Sequence, residues 1–414
     1  MTGAPVLVLK TVRGAFQHGE LGVVRSLGRL GAQVHVCQDS RLTPVARSRY
    51  VRGTLTWNFP VHSEQESVAY LLEMAGQIGG RPILIPTDDV GALLVADHAA
   101  ALKQEFVFPD QPPGLTRALA SKKELFLLCK KVGVPAPETA FPSSKLDVEA
   151  FLERATFPVV VKAIDARFIP WHRGGLSVFI ARGPRELLDY YTRVEQPHRP
   201  NLMLQEYIPG GPDSIWMFDG YFNADSECLI GFTGQKIRQY PPYTGPTSLG
   251  ICVPNEFVDR AARDFLKKVG YRGIVDLGFR YDRRDGSYRL LDVNPRIGAT
   301  FRLFTDRHGL DVAAALYLDL TGQPVQVASG RPGRRWWVEN TDIMASVQYM
   351  RDGVLSFGEW VRSFRCVEES AWFASDDPLP FALMCGGFPL KMIRASVRSY
   401  FHRRRRPAIE HAGQ

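Results

Sequence analysis

Residues 290–299 read Leu-Leu-Asp-Val-Asn-Pro-Arg-Ile-Gly-Ala, so an acid (Asp292), an amide (Asn294) and a guanidinium (Arg296) occupy alternate positions after two leucines. Side chains at i, i+2 and i+4 of a strand share a face. Asp292 and Asn294 therefore project together, with Arg296 just beyond Pro295, where the strand ends. Hard oxygen donors at this spacing suit Mg²⁺, particularly where phosphates and water complete an octahedron. A guanidinium beside them can hold a phosphoryl oxygen or a developing negative charge. A strand running out into solvent would carry the same residues, so other segments have to decide.

Three other stretches carry chemistry. Phe157-Pro158-Val159-Val160-Val161-Lys162 drives a lysine out of an apolar strand, where burial is costly without an anion. The following loop, Trp171 to Ser177, contains Gly174-Gly175, whose backbone N–H groups could wrap phosphate oxygens, although a plain hairpin turn looks the same. Leu202 to Asp213 is an apolar strand ending in Glu206, then Tyr207-Ile208-Pro209-Gly210-Gly211-Pro212 and a second acid, Asp213. Such a hinge can pair its backbone with an adenine edge while a carboxylate grips a ribose. In Gly234 to Pro242, a segment that continues through Tyr243 to Ser248 and concerns a second substrate, Lys236 and Arg238 alternate along one strand and are expected on the same side. Two cations there could orient a carboxylate and stabilise an acyl phosphate; a charged, solvated strand edge is the plain alternative. His18, His172 and His308 stay outside the catalytic set, because a lone histidine is more often structural.

The elements that position these residues follow from pattern. Val6–Leu9, a helical pattern over Glu20–Leu30, Gly31 as a stop and a strand at Gln33–Cys37 make a βαβ unit, hence a parallel sheet. Ile83–Pro86 repeats the strand, with Thr87-Asp88-Asp89 capping a helix over Val90–Leu102. A helix is expected over 116–132. Strands are expected at 157–163, 176–182, 202–207, 214–222, 227–235, 274–281 and 287–293, the last two joined by the hairpin signal Asp285-Gly286. The fold class is an N-terminal α/β open parallel-sheet domain (1–115), an α+β module in two parts (116–200 and 201–325) and a mainly helical C-terminal extension (326–414).

In this order the motifs resemble the ATP-grasp superfamily, carboxylate–amine ligase type, from about Ser121 to Arg302, with the Asp-x-Asn-Pro-Arg ending as the most specific part. The resemblance implies Lys122 (or the adjacent Lys123) and Lys162 on phosphates, with Gly174 and Gly175 in the phosphate loop. It implies Glu206 with the backbone of Tyr207 and Ile208 at the adenine, Asp213 at the ribose, Asp292 and Asn294 on Mg²⁺, and Arg296 on the transferred phosphoryl group. Lys236 and Arg238 match basic residues that such ligases carry in this region. One position departs: the usual metal-binding side chain before a Phe is Gly278 before Phe279, and Asp276 is expected to substitute. Within the superfamily the chain is similar to ligases related to D-aspartate ligase, which attach an amino acid to a cell-wall precursor. That likeness rests on Lys236-Ile237-Arg238-Gln239 and on Asp292 to Gly298 with Phe301-Arg302. The implied activity joins a carboxylate to an amine with ATP and Mg²⁺; a nucleotide-binding regulator or membrane adaptor that lost turnover is the alternative.

Charge sharpens the picture of partners. The net charge is +8 over 414 residues. Residues 391–414 hold Lys391, Arg394, Arg398 and Arg403 to Arg406 against Glu410, so most of the excess lies there and the body is near neutral. No nucleic-acid face is expected. Leu390, Ile393, Val397 and Tyr400 form an apolar stripe beside the basic one, the pattern of attachment to an anionic membrane surface. Six scattered cysteines without a Cys-x-x-Cys pair fit a reducing cytoplasm, and no leader or membrane span is visible. The oligomeric state is not legible.

Overall fold

The computed structural model describes residues 3–56, 63–164, 169–170, 175–176 and 178–388. β1 (Pro5–Leu9), β2 (Gln33–Gln38), β3 (Val51–Thr56) and β4 (Ile83–Pro86) form a parallel sheet in the order β3-β2-β1-β4. Val6 to Leu9 are all fully buried, as expected of a parallel strand covered on both faces. Helices α1 (His18–Arg29) and α2 (Glu64–Ile78) cover the sheet. The single helix expected over 90–102 is two, α3 (Asp89–Asp97) and α4 (Ala99–Leu102), because His98 leaves helical geometry at φ −112° and ψ 23°. Asp88 caps α3 and also accepts from the backbone of Thr11 at 2.6 Å, tying the turn after β1 to the turn after β4.

The helix expected over 116–132 also divides, into α5 (Leu115–Ala120) and α6 (Lys122–Val132), since Ser121 is extended and caps the second piece. β5 (Thr139–Ala140), β6 (Val159–Ala163), β7 (Val178–Ala181) and β8 (Leu202–Glu206) form an antiparallel sheet in the order β5-β8-β6-β7. α7 (Lys145–Leu152) and α8 (Pro184–Val194) cover one face, packing Val148, Phe151, Leu187 and Tyr191 on Val159, Val161 and Leu204. Strand alternation then sends Val160, Lys162, Met203 and Gln205 to the other face, into a cleft.

The opposite wall is a seven-stranded sheet. It contains β9 (Ile215–Phe222), β10 (Cys228–Gln239), β11 (Thr247–Cys252), β12 (Gly273–Asp282), β13 (Ser287–Asn294), β14 (Arg335–Trp337) and β15 (Val367–Ser370), in the order β13-β12-β9-β10-β11-β14-β15. Its outer face packs Phe218, Leu277, Phe279 and Leu290 against α9 (Glu256–Lys268), α5 and α6. The inner face packs Tyr221, Ile274 and Phe232 into the core shared with α1 and α10 (Val312–Leu320) at one end, and opens on the cleft at the other. The C-terminal extension is less purely helical than its sequence suggests. Besides α11 (Glu339–Arg351), α12 (Phe357–Ser363) and a helical stretch over 379–388, it supplies β14 and β15, which extend the sheet beyond β11. Arg25 of α1 binds Asp377 at 3.0 Å in a buried pair, fastening the extension to the N-terminal sheet domain.

Candidate active site

The cleft between the four-stranded antiparallel sheet and the seven-stranded sheet encloses a cavity of about 870 Å³. Lys122, at the start of α6, donates to the carbonyl of Ala163 at 2.9 Å, and Lys162 donates to Oε1 of Gln205 at 3.0 Å. Both lysines line the cavity. Burial pushes the Lys162 ammonium below its ordinary value, and the Asp292 carboxylate across the cleft partly offsets this. Gln205 escaped the sequence reading, although it sits one position before Glu206 and alternates with Met203 toward the cavity.

The hinge is more engaged than its sequence suggests. Arg284 binds Glu206 at 2.5 Å, and Arg280 donates to the carbonyls of Ile208 at 2.7 Å and Gly210 at 2.6 Å. Arg280 stands two residues beyond Gly278 on the same strand face, so alternation could have found it. Asp213 is ion-paired with Arg283 and does not line the cavity, whereas Glu206, Tyr207 and Ile208 do. Gly175 is buried against Pro170, but Gly174 lies outside the described residues.

At the far end, β12 and β13 pair Gly278 with Asp292 and Asp276 with Asn294. Asn294 Nδ2 donates to Asp276 Oδ2 at 3.1 Å. A Cβ built on Gly278 would stand 2.4 Å from the Asp292 carboxylate, so the glycine leaves the room that this carboxylate uses. Behind Asp276, Asp219 of β9 pairs with it across the sheet, and one of its carboxylate oxygens has no hydrogen-bond partner. Burial raises the Asp276 pKa, with Asp292 adding to the effect, and burial raises Asp219 further, with Asp276 adding. Among the described residues no three His, Cys, Asp or Glu side chains form a metal-binding group. The donor set at this end is therefore two carboxylates and an amide oxygen, all hard, which fits Mg²⁺ when phosphate oxygens supply the rest. Arg296 meets Asp89 of α3 at 2.6 Å and approaches Asn294 Oδ1 at 3.4 Å, so the N-terminal sheet domain touches this end directly.

The expectation that Lys236 and Arg238 share a face is corrected by the structure. The β10–β11 register shifts between Lys236 and Arg238, and this bulge reverses the alternation. Lys236 and Gln239 line the cavity, while Arg238 turns to the opposite face. There it is 3% exposed and forms a two-pronged pair with Asp342 of α11, both contacts at 2.8 Å. Arg238 is structural in this chain. The loop after β10, the continuation of the same sequence segment, brings Tyr243, Thr244 and Pro246 to the cavity beside Lys236. α11 steadies it, because Tyr349 Oη accepts from the Tyr243 N–H at 3.1 Å and Asp352 accepts from the Tyr243 hydroxyl at 2.8 Å.

Comparison with known proteins now bears on this geometry. No protein-family profile matches the chain. A D-aspartate ligase of Enterococcus faecium is 26% identical over 242 residues, covering 56% of this chain and 56% of that protein. The N-terminal section of the Methanopyrus kandleri carbamoyl phosphate synthase large chain is 24% identical over 260 residues, covering 60% of this chain and 43% of that protein. The chain thus spans about half the length of these relatives. Among solved structures, the N5-carboxyaminoimidazole synthetase of Staphylococcus aureus complexed with ADP superposes with a TM-score of 0.60 at 13% identity, over 81% of each chain. The L-amino acid ligase of Bacillus licheniformis gives 0.59 at 14% identity, over 81% of this chain and 79% of that one. The chain has the ATP-grasp fold of these structures. The ATP-grasp cleft is the space between the β5–β8 sheet and the β9–β13 strands, with both lysines on one wall and Asp292, Asn294 and Arg296 on the other.

Proposed function

We propose that the chain is an ATP-dependent carboxylate–amine ligase that forms an amide or peptide bond through an acyl phosphate, releasing ADP and phosphate. The observation that carries this reading is the gathering of Lys122, Lys162, Asp292, Asn294, Arg296 and Lys236 on one cavity, although they come from four separate segments. Lys122 and Lys162 would bind the phosphates from the β6 side, and the Tyr207–Ile208 backbone would meet the adenine. Asp292 and Asn294, with Asp276 beside them, would hold Mg²⁺, whose chemistry is to neutralise charge on the β- and γ-phosphates. Arg296 would leave Asp89 to steady the transferred phosphoryl group, and Lys236 would aim the substrate carboxylate at it. No side-chain nucleophile is needed, because positioning and positive charge account for phosphoryl transfer.

The finer reading is addition of an amino acid to a cell-wall or lipid-linked acceptor, which the likeness to a D-aspartate ligase supports. A regulator without turnover is the second reading, favoured by Gly278 in place of the customary metal-binding side chain. Screening amino acids and amine acceptors with Mg-ATP, following ADP release and product mass, separates the two. Carboxylate-dependent ADP formation is expected; tight ATP binding without it would leave only the regulator.

A further inference from the structure

The amphipathic basic pattern over 390–406 lies outside the described residues, whereas the hinge from Leu202 to Phe222 is described throughout. Within that hinge, Ile208 precedes Pro209, and a residue before proline is held in extended backbone. In extended backbone the N–H and C=O of one residue face the same side, which is how a residue of an antiparallel pair exchanges both bonds with one partner. The Ile208 carbonyl meets Arg280, a side chain that lines the cleft, so the Ile208 N–H faces the cleft too. Ile208 is 3% exposed, and among the described residues nothing accepts from this N–H. A buried backbone donor needs an acceptor, and the cleft is where a ligand can bring one.

Arg280 decides what that acceptor can be. It stands on β12 opposite Ile215 of β9. Its Nε donates to the Ile208 carbonyl at 2.7 Å and its Nη2 to the Gly210 carbonyl at 2.6 Å, with the guanidinium 5.9 Å from the centre of the Tyr207 ring. Gly210 takes φ +144°, and a Cβ there would stand 2.6 Å from Ser214 Oγ, so this turn of the hinge suits glycine. Two other arginines of the β12–β13 hairpin take the acids of the hinge: Arg284 binds Glu206 and Arg283 binds Asp213. Arg280 goes to the backbone instead. At Ile208 the hinge thus offers a free donor, while its acceptor is already used. Adenine presents a bare ring nitrogen, N1, beside C2–H, and matches that edge. Guanine presents N1–H and an exocyclic amine. With its O6 on the Ile208 N–H, those donors would point at the occupied carbonyl and meet the Arg280 guanidinium.

We propose that Arg280 is a positioning residue that sets the base preference of the cleft: by holding the Ile208 and Gly210 carbonyls it keeps the hinge a donor, which admits an adenine nucleotide and rejects a guanine nucleotide. This rests on the nucleotide-binding part of the ligase reading and needs no turnover. Calorimetric titration of the full chain with ATP, GTP and inorganic tripolyphosphate, each with Mg²⁺, tests it. The wild type should prefer ATP to GTP by about 10²-fold or more, the scale of a mismatched buried polar contact. Arg280→Met should lower that ratio about tenfold or more, weakening ATP and strengthening GTP, while tripolyphosphate affinity stays within about twofold. Arg280→Lys keeps the charge and loses the two-pronged fork, so its ratio should fall between those of the wild type and Arg280→Met. It carries the test if Arg280→Met does not fold.

Three results would overturn the inference: a wild type that binds ATP and GTP alike, variants in which both nucleotides weaken equally, or a loss of tripolyphosphate affinity as large as the loss of ATP affinity. The second would leave Arg280 a brace of the hinge, and the third would assign it to the phosphates. A wild type that binds none of the three ligands would refute the nucleotide reading, and this inference with it. Nucleotide binding without any ADP formation would refute the ligase and leave the role of Arg280 standing.

Discussion

The ends of β13 and β10 look alike in sequence and differ in space. Each places charged or polar side chains two residues apart after an apolar run: Asp292 and Asn294 in one, Lys236 and Arg238 in the other. On β13 the alternation survives, and both side chains reach the cleft. On β10 a register shift between Lys236 and Arg238 sends the arginine through the sheet to Asp342. β13 has an irregularity of its own, opposite Gly278 and Phe279, but it falls before Asp292 and so leaves the pair in step. A period-2 reading is thus only as good as the ladder between the two residues compared, and one extra residue exchanges a place on the cleft for a buried ion pair.

The largest effect should come from breaking the structural side of this pair. Arg238→Met or Asp342→Ala leaves one charge buried without its partner, at a cost of about 3–5 kcal/mol, which thermal or urea unfolding would show directly. Asp292→Asn should leave the fold intact and cut ADP formation about 10²–10³-fold, the scale of a lost electrostatic contact in a phosphoryl-transfer site. Lys236→Met is the discriminating variant. It should weaken carboxylate-dependent ADP release about tenfold or more at an unchanged melting temperature. If Lys236→Met instead unfolded the protein and Arg238→Met spared it, the assignment of the two faces would be reversed.

The smallest effect concerns pH. Burial raises the Asp276 pKa above its ordinary 3.8 in the folded protein, so folding favours the protonated acid. The native state then binds more protons than the unfolded chain, and this group's contribution to stability falls as pH rises from near 3.8 toward the raised folded value. Asp276→Asn should therefore raise the melting temperature of the nucleotide-free protein by a few degrees at neutral pH, with the gain shrinking as the pH approaches that of an ordinary carboxylate. The same variant should lose part of the stabilisation that Mg-ATP gives the wild type, since Asp276 stands beside Asn294 where the proposed ion would be held. A variant that responds to Mg-ATP as the wild type does would leave Asp276 with no part in holding the ion.

Much of the fold is legible because it rests on local pattern. The apolar runs Val6–Leu9 and Val159–Val161 read as buried strands and are buried strands, and Asp285-Gly286 turns the β12–β13 hairpin with Gly286 at φ +71°. The breaks inside the two expected helices were less visible, since Ser121 and His98 sit within apolar periodicity and only their backbone angles end the helices. Arg280 and Gln205 were missed because their roles depend on partners far away in the chain.

The sequence by itself determined which segments alternate, which run apolar and where a lysine, an acid and an amide leave the core, because these properties depend on neighbours within a few residues. It also determined that the excess positive charge lies at the C-terminal end. Only the tertiary structure decided that Arg238 belongs to Asp342, that Asp292 occupies the space beside Gly278, and that Asp89 reaches across to Arg296. Each of these pairings joins residues remote in the chain through strand register or domain contact. A single inserted residue changes the register while leaving the composition almost untouched.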